Sequence, residues 1–430
     1  MGRYMVAVLL WGVMVVGVSG RKRLETGWNE GVGSLEIKGN EAGGAIPWIK
    51  KGGTLTIEFD LIEGLGSISA GGWERVTYKV VHCDGGGSGD EDRGGGRGGG
   101  WEQSQLMETE YMQGFQDLVV TEMESGRGTT VSYTHYSLSL PNEEVELKVS
   151  GNYAVMFFKE SGEWLATGCF CVCETKTECR GSVTGNTLRD TYAGSQQLDF
   201  SIETKGLGQG VRERDLQVTV YKNGRRDDAV RRVKPSGLAG SRLDYVNVRE
   251  LIFAAGNEFR RCEFLTPRGQ GMRVEEIGVF EGFYHVTLVE DKVREGYLYD
   301  RDMNGGFLVN CLPCRYPSVE ADYFFVHFRL VSPQLTGGEV YLSGGLSGYA
   351  FREANRMHYE GEGNYYEQCL LLKQGQYNYE YLFVPRGGGQ ALTAPLEGDF
   401  YQTENEYSVY VYYRPLGEKY DRLVGVHILK

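Results

Sequence analysis

Hydrophobic and polar residues alternate with a period of two along much of the chain. Leu55, Ile57 and Phe59 interleave with Thr54, Thr56, Glu58 and Asp60, and Val76, Tyr78 and Val80 repeat the pattern. Successive side chains of a strand point to opposite faces, so this alternation predicts half-buried strands. Leu198, Phe200 and Ile202 continue it, as do Leu216, Val218 and Val220, a run that leads into Asn223-Gly224. Both of those residues tolerate positive φ, which predicts a tight hairpin at that point. From Tyr407 to Tyr413 the chain is almost entirely Tyr and Val, residues that favour strands. No long stretch carries the 3.6-residue period of an amphipathic helix. Short strands joined by glycine-rich turns predict an all-β protein made of sandwiches.

The 430 residues are enough for two to four domains at roughly 100 to 200 residues each. Composition divides them further: all six Trp (11, 28, 48, 73, 101 and 164) precede residue 165, whereas Tyr thickens after 340. We therefore expect three consecutive Ig-like or early-set-like β-sandwich domains at 21–175, 176–317 and 318–430, the last early-set-like. The stretch from Asp84 to Gly100 holds ten glycines with Asp90, Glu91, Asp92, Arg93 and Arg97. It has too little to bury for a packed core and reads as a loop inserted between strands. An RNA-binding Arg-Gly segment would need more cations than two arginines offset by four acids. The whole chain carries 45 Lys and Arg against 58 Asp and Glu, a net charge of −13, which argues against nucleic acid as a partner.

The first twenty residues place Arg3 before an apolar run from Met5 to Val18 and end in Val18-Ser19-Gly20, ahead of Arg21-Lys22-Arg23. This is the pattern of a secretory signal, with residues 1–20 removed after Gly20. The alternative, a membrane anchor, would need about 20 apolar residues. No later stretch reaches that length, so the mature chain is expected in an extracytoplasmic space without a direct membrane span. Its nine cysteines cannot all pair within one chain. Cys169, Cys171 and Cys173 alternate along one predicted strand and so share a face. Cys311 and Cys314 are expected as a local disulfide or as two buried thiols, since no second Cys pair or nearby His completes a zinc site.

Templates for catalysis are missing from the sequence: there is no G-x-S-x-G, no H-E-x-x-H and no Gly-Lys dipeptide of a phosphate loop. The six histidines (82, 135, 285, 327, 358 and 427) stand singly. His135, His327 and His358 are flanked by aromatics in predicted strands, as packing residues commonly are. Asp300-Arg301-Asp302-Met303-Asn304-Gly305 matches the opening of a calcium loop, but position twelve is Cys311 where a bidentate Glu is needed. A polar hairpin turn is the expectation there. The sequence assigns no catalytic, cofactor-binding or metal-binding residue.

One series of motifs is more specific. Tyr111-Met112-Gln113-Gly114-Phe115, Tyr133-Thr134-His135-Tyr136, Leu140-Pro141-Asn142 and Ser150-Gly151-Asn152-Tyr153 follow one another in that order. The series resembles the first domain of the type IX secretion system plug protein family of Bacteroidota. The likeness continues through Phe253 to Arg260, Glu320 to Phe328, Leu372 to Tyr381 and Glu397 to Tyr407. What the resemblance implies is a non-enzymatic periplasmic protein without cofactor. It would close the periplasmic mouth of the outer-membrane translocon barrel of that system, its partner, when no cargo is present. Such a protein needs broad contact surfaces with aromatic anchors. Candidates in the Tyr-rich third domain are Tyr349, Tyr359, Tyr365 and Tyr366. A second reading comes from the stretch Glu339 to Tyr349, which is similar to sandwich modules that bind α-glucans, with Tyr349 where an aromatic platform would stand. On that reading the chain is a carbohydrate-binding protein of the periplasm or cell surface.

Overall fold

A computed structural model describes residues 23–39, 41, 43–44, 46–63, 74–85 and 100–430. The expected secretory segment at 1–20 lies outside them, as do residues 86–99 of the glycine-rich stretch. The fold is all-β, with 51% strand against 6% helix. Among the described residues no helix is long and apolar enough to cross a membrane.

Alternation in the sequence becomes alternation across each sheet. In the first sandwich the strands Val32–Gly39, Leu55–Ile62, Tyr133–Leu140 and Glu122–Ser125 form one sheet. Val76–Asp84, Gly151–Lys159 and Trp164–Cys173 form the middle of the other. Ile57, Phe59, Tyr78, Tyr136, Tyr153 and Phe157 fill the space between them. The second sandwich sets Glu178–Thr184, Ser195–Glu203 and Arg242–Tyr245 against a sheet built around Leu216–Lys222. The hairpin at 223–224 forms as the sequence predicts, with φ of 46° at Asn223 and 81° at Gly224. In the third sandwich, Gly375–Pro385 and its neighbours pack against Phe283–Leu288, Tyr323–Val331 and Tyr365–Lys373 around Phe264, Phe324, Phe328 and Tyr379.

The path of the chain through these bodies is not end to end. Tyr407–Tyr413 pairs antiparallel with Leu216–Lys222 and with Arg422–Leu429, so the last strands complete the second sandwich. The third sandwich is inserted between them. A boundary at 318 is not respected by its sheets, because Phe283–Leu288 pairs in parallel with Tyr323–Val331 across it. The core that contains Cys262, Phe264 and Leu288 also contains Tyr379 and Leu396. Alternation identifies a strand but not its partner, and a composition shift follows residue usage rather than pairing.

The first sandwich is bound to each of the other two by a buried seam. Cys169, Cys171 and Cys173 do share a face, and that face is buried with Cys83, Trp48 and Trp101 against Tyr221, Tyr410 and Tyr412 of the second sandwich. The tyrosines that alternate out of the last strands are thus partly interface residues: the Tyr410 hydroxyl donates to Ile46 O at 2.9 Å and that of Tyr412 to Asn152 Oδ1 at 3.1 Å. Between the first and third sandwiches Asp60 is the centre of a buried polar cluster. Lys373 Nζ lies 2.5 Å and the Tyr323 hydroxyl 2.6 Å from its Oδ2, and His135 Nδ1 lies 2.7 Å from its Oδ1. The Lys373 ammonium also donates to Ser318 O and sits 4.2 Å from the centre of the Tyr133 ring.

Candidate functional site

The four tyrosines singled out in the sequence do not form one surface. Tyr349 lies apart: its hydroxyl donates to Asn304 O at 3.3 Å, and a methyl group on Gly224 or Gly305 would come within about 3.0 Å of the side chain. That packing sets Tyr349 half-buried between the second and third sandwiches. Tyr359, Tyr365 and Tyr366 come together on the strands His358–Glu360 and Tyr365–Lys373. Tyr366 is 4% exposed and its hydroxyl accepts from Leu335 N at 2.7 Å, so it is a core residue. Tyr359 stacks obliquely on it and donates to Asn364 Oδ1, while the Arg329 guanidinium lies 4.2 Å from the centre of the Tyr365 ring. Tyr359 and Tyr365, like Tyr349, are half-buried.

A different aromatic stands clear of the fold. Phe115 is 78% exposed, although it belongs to the motif Tyr111 to Phe115 whose first member is buried. The backbone on both sides of it is pinned. Met112–Gly114 pairs with Val145–Leu147, and Gly114 has φ of +126° with its Cα so close to the partner strand that a Cβ would lie 2.0 Å from Glu144 O. Only glycine fits there. On the other side the Gln116 amide exchanges two hydrogen bonds with the Val80 backbone, at 2.8 and 2.9 Å. The Tyr111 hydroxyl donates to the same Val80 carbonyl.

Leu140-Pro141-Asn142 meets this motif in space. Asn142 Oδ1 accepts from the backbone N–H of Glu144 and Val145, which turns the chain into the strand paired with Met112–Gly114. The two motifs enclose a shallow depression of about 620 Å³ lined by Phe115, Pro141, Asn142, Glu143, Glu144 and Glu146. The three carboxylates are exposed and have no ion-pair partner among the described residues. The arrangement is a fixed aromatic knob with a negative rim. Sequence reading used the motif as a family signature and missed the knob. Its signal was an apolar residue among Gln113, Gln116 and Asp117, off the alternating pattern.

Of the six histidines, His358 is exposed and His135 joins the Asp60 cluster, while the other four are tied to packing or to each other. His82 Nε2 lies 3.1 Å from Ser150 O, and burial lowers its pKa to about 4. His427, beside Thr177 Oγ1 at 2.9 Å, is lowered to about 4 by the same cause. His285 Nδ1 and His327 Nε2 share a 2.9 Å contact, and Cys369 Sγ lies 3.9 Å from that same Nε2. Cys369 itself is exposed at the surface beside this pair. Cys311 and Cys314 form a disulfide, and the other seven cysteines are free thiols. In the segment tested for calcium, Asp300 pairs with Arg261, and Asp302 accepts from the backbone N–H of Phe259 and Asn304. The two carboxylates thus tie the turn to the segment at 259–261, and Asp302 also accepts within the turn itself.

Fold and surface define an all-β protein of three packed sandwiches whose first body presents a pinned aromatic. A family model for the type 9 secretion system plug protein 1st domain matches residues 32–174, most of that first body. A crystal structure of a hypothetical protein from Parabacteroides merdae is similar over 95% of this chain and 99% of that one, with 40% identity and a TM-score of 0.87. A biofilm associated protein BSP domain aligns at 7% identity over 96% of this chain and 60% of that one, with a TM-score of 0.18, a likeness that carries no argument. No curated protein sequence matches. The chain belongs to the type IX secretion system plug protein family, which supports a role in type IX secretion.

Proposed function

We propose that this protein is a non-enzymatic cap on the periplasmic side of the outer-membrane translocon barrel of the type IX system, seated when no cargo occupies the conduit. The observation that carries this reading is the match of residues 32–174, most of the first sandwich, to the plug family. Physical reasoning supports it. A conduit wide enough for folded cargo leaks small solutes when empty, and a cap must resist deformation. Two seams, one packed with cysteines and tyrosines and one built on the buried Asp60 cluster, suit that demand. In this reading the mature chain is exported and acts in the periplasm, associated with the outer membrane.

Docking is assigned to the Phe115 knob, with Tyr359 and Tyr365 as secondary contacts. Interface energy concentrates in a few aromatic and Arg anchors, and the surrounding charges mainly set orientation and encounter rate. The carboxylates of Glu143, Glu144 and Glu146 favour a receptor surface that carries Lys or Arg around an apolar recess. The test is dye or antibiotic uptake in a deletion strain complemented with wild-type or Phe115→Ala protein, together with copurification of the barrel. Raised uptake that wild type corrects, with barrel copurifying, is the expected result. Uptake equal to wild type in the deletion strain and no copurifying barrel would refute the cap.

A further inference from the structure

Between the first and third sandwiches lies a cavity of about 460 Å³, within the roughly 300 to 1,000 Å³ common for small-molecule sites. Its walls are mainly apolar and come from both bodies: Val32 and Ile62 from the first, Phe325, Leu346 and Leu371 from the third. The polar side chains among them are already engaged. Asn355 donates to Leu342 O and Ala350 O and accepts from Arg352 N. Gln368 donates to Ala354 O and Arg356 O, Asn29 donates to Trp164 O, and Ser347 donates to Gly344 O.

Arg352 is the exception. Its guanidinium makes one hydrogen bond, Nη2 to Thr26 O at 2.8 Å, and lies 5.5 Å from the centre of the Trp28 ring. Among the described residues no carboxylate lies within ion-pair distance of it; the exposed Glu25 acts on it only from further off, and burial outweighs that charge and pulls its pKa down from the ordinary arginine value. The group is held in place, since Gly27 leaves room for it: a Cβ at that position would lie 2.2 Å from Nη2. The other charged residue at the cavity, Glu30, is exposed to solvent. A guanidinium has five donors in a fixed fork that matches a carboxylate, so one fixed cation beside an apolar chamber selects an anion with an apolar tail.

We propose that this cavity binds a single-chain amphipathic carboxylate, with the head group on Arg352 and the acyl chain against Val32, Ile62, Leu346 and Leu371. The site is independent of the capping role, and it spans two bodies, so occupancy would tie them together.

The test is calorimetric titration of the purified mature protein with octanoate, decanoate and dodecanoate below their micelle concentrations. One molecule should bind per chain, and affinity should rise by up to about fourfold for each methylene that becomes buried. Decanol should bind at least about tenfold more weakly than decanoate, because it cannot form the charge-assisted pair. Arg352→Gln should erase that difference and leave decanol affinity unchanged, while Leu371→Trp, which fills the chamber, should abolish binding of both. If Arg352→Gln disturbs the fold, the decanoate-to-decanol ratio on wild-type protein reads the same charge. Absence of saturable decanoate binding, equal binding of the acid and the alcohol, or full binding by Leu371→Trp would overturn the proposal.

Discussion

Replacing Lys373 by Met isolates what the Asp60 cluster contributes to the seam between the first and third sandwiches. Met keeps most of the apolar stem and removes the ammonium, whose two short hydrogen bonds go to Asp60 Oδ2 at 2.5 Å and Ser318 O at 2.6 Å. Both partners of the ion pair are almost fully buried, at 2% and 1% exposure, so water does not replace the lost contacts. At about 1.5 to 3 kcal/mol for each hydrogen bond to a charged group, the two bonds give roughly 3 to 6 kcal/mol. Breaking a buried pair by removing one partner costs about 3 to 5 kcal/mol in measured cases. Asp60 keeps the Tyr323 hydroxyl and His135 as neighbours, which places the expected loss near the lower end, at about 3 kcal/mol. With a urea dependence of about 2 kcal/mol per molar, the unfolding midpoint should fall by about 1.5 M. A double-mutant cycle with Asp60→Asn should show coupling of about 1.5 kcal/mol or more, because the second change removes the charge that the first leaves unpaired. A loss below about 1 kcal/mol, or coupling within about 0.5 kcal/mol of zero, would refute the view that this pair fastens the seam.

Further outcomes follow from other sites. Phe115→Ala should change stability by no more than about 0.5 kcal/mol in urea melts, as at an exposed position, yet weaken docking to the barrel by about 2 kcal/mol, some thirtyfold, in a binding assay. Gly114→Ala should instead destabilise by more than about 1 kcal/mol, since positive φ and the Glu144 carbonyl both oppose a Cβ; a neutral melt would contradict the pinned geometry. Burial alone would raise the Glu174 carboxyl, but hydrogen bonds from Arg422 and Ser150 outweigh it and hold the pKa at about 2. Its contribution is therefore complete above the ordinary value of 4.5 and is lost as pH falls from there through about 2. Glu174→Gln should flatten the decline in melting temperature over that window. The thiols of Cys83, Cys169, Cys171 and Cys173 should resist a thiol reagent in native protein and react once guanidinium opens the seam.

Local chemistry fixed a good deal. Alternation at 55–60, 76–80 and 198–202 specified strands because one face of each meets a core, and Asn223-Gly224 specified its hairpin because both residues accept positive φ. The shared face of Cys169, Cys171 and Cys173 was legible for the same geometric reason. Partner choice was not. Tyr407–Tyr413 could be recognised as a strand, but its place beside Leu216–Lys222, nearly two hundred residues earlier, depends on which complementary faces meet after collapse. The roles of the tyrosines divided in the same way. Sequence supplied a Tyr-rich region, while only the packed bodies decided that Tyr366 is enclosed, that Tyr349 is half-buried between two of them and that Phe115 is displayed. The charges at the seams show the limit most clearly. Asp60 reads as an ordinary polar member of an alternating strand, and nothing local sets Lys373 or Arg352 apart. Burial by a second body made the first two a bonded pair and left the third facing an apolar chamber, because desolvation is set by what packs against a residue and not by its neighbours in the chain.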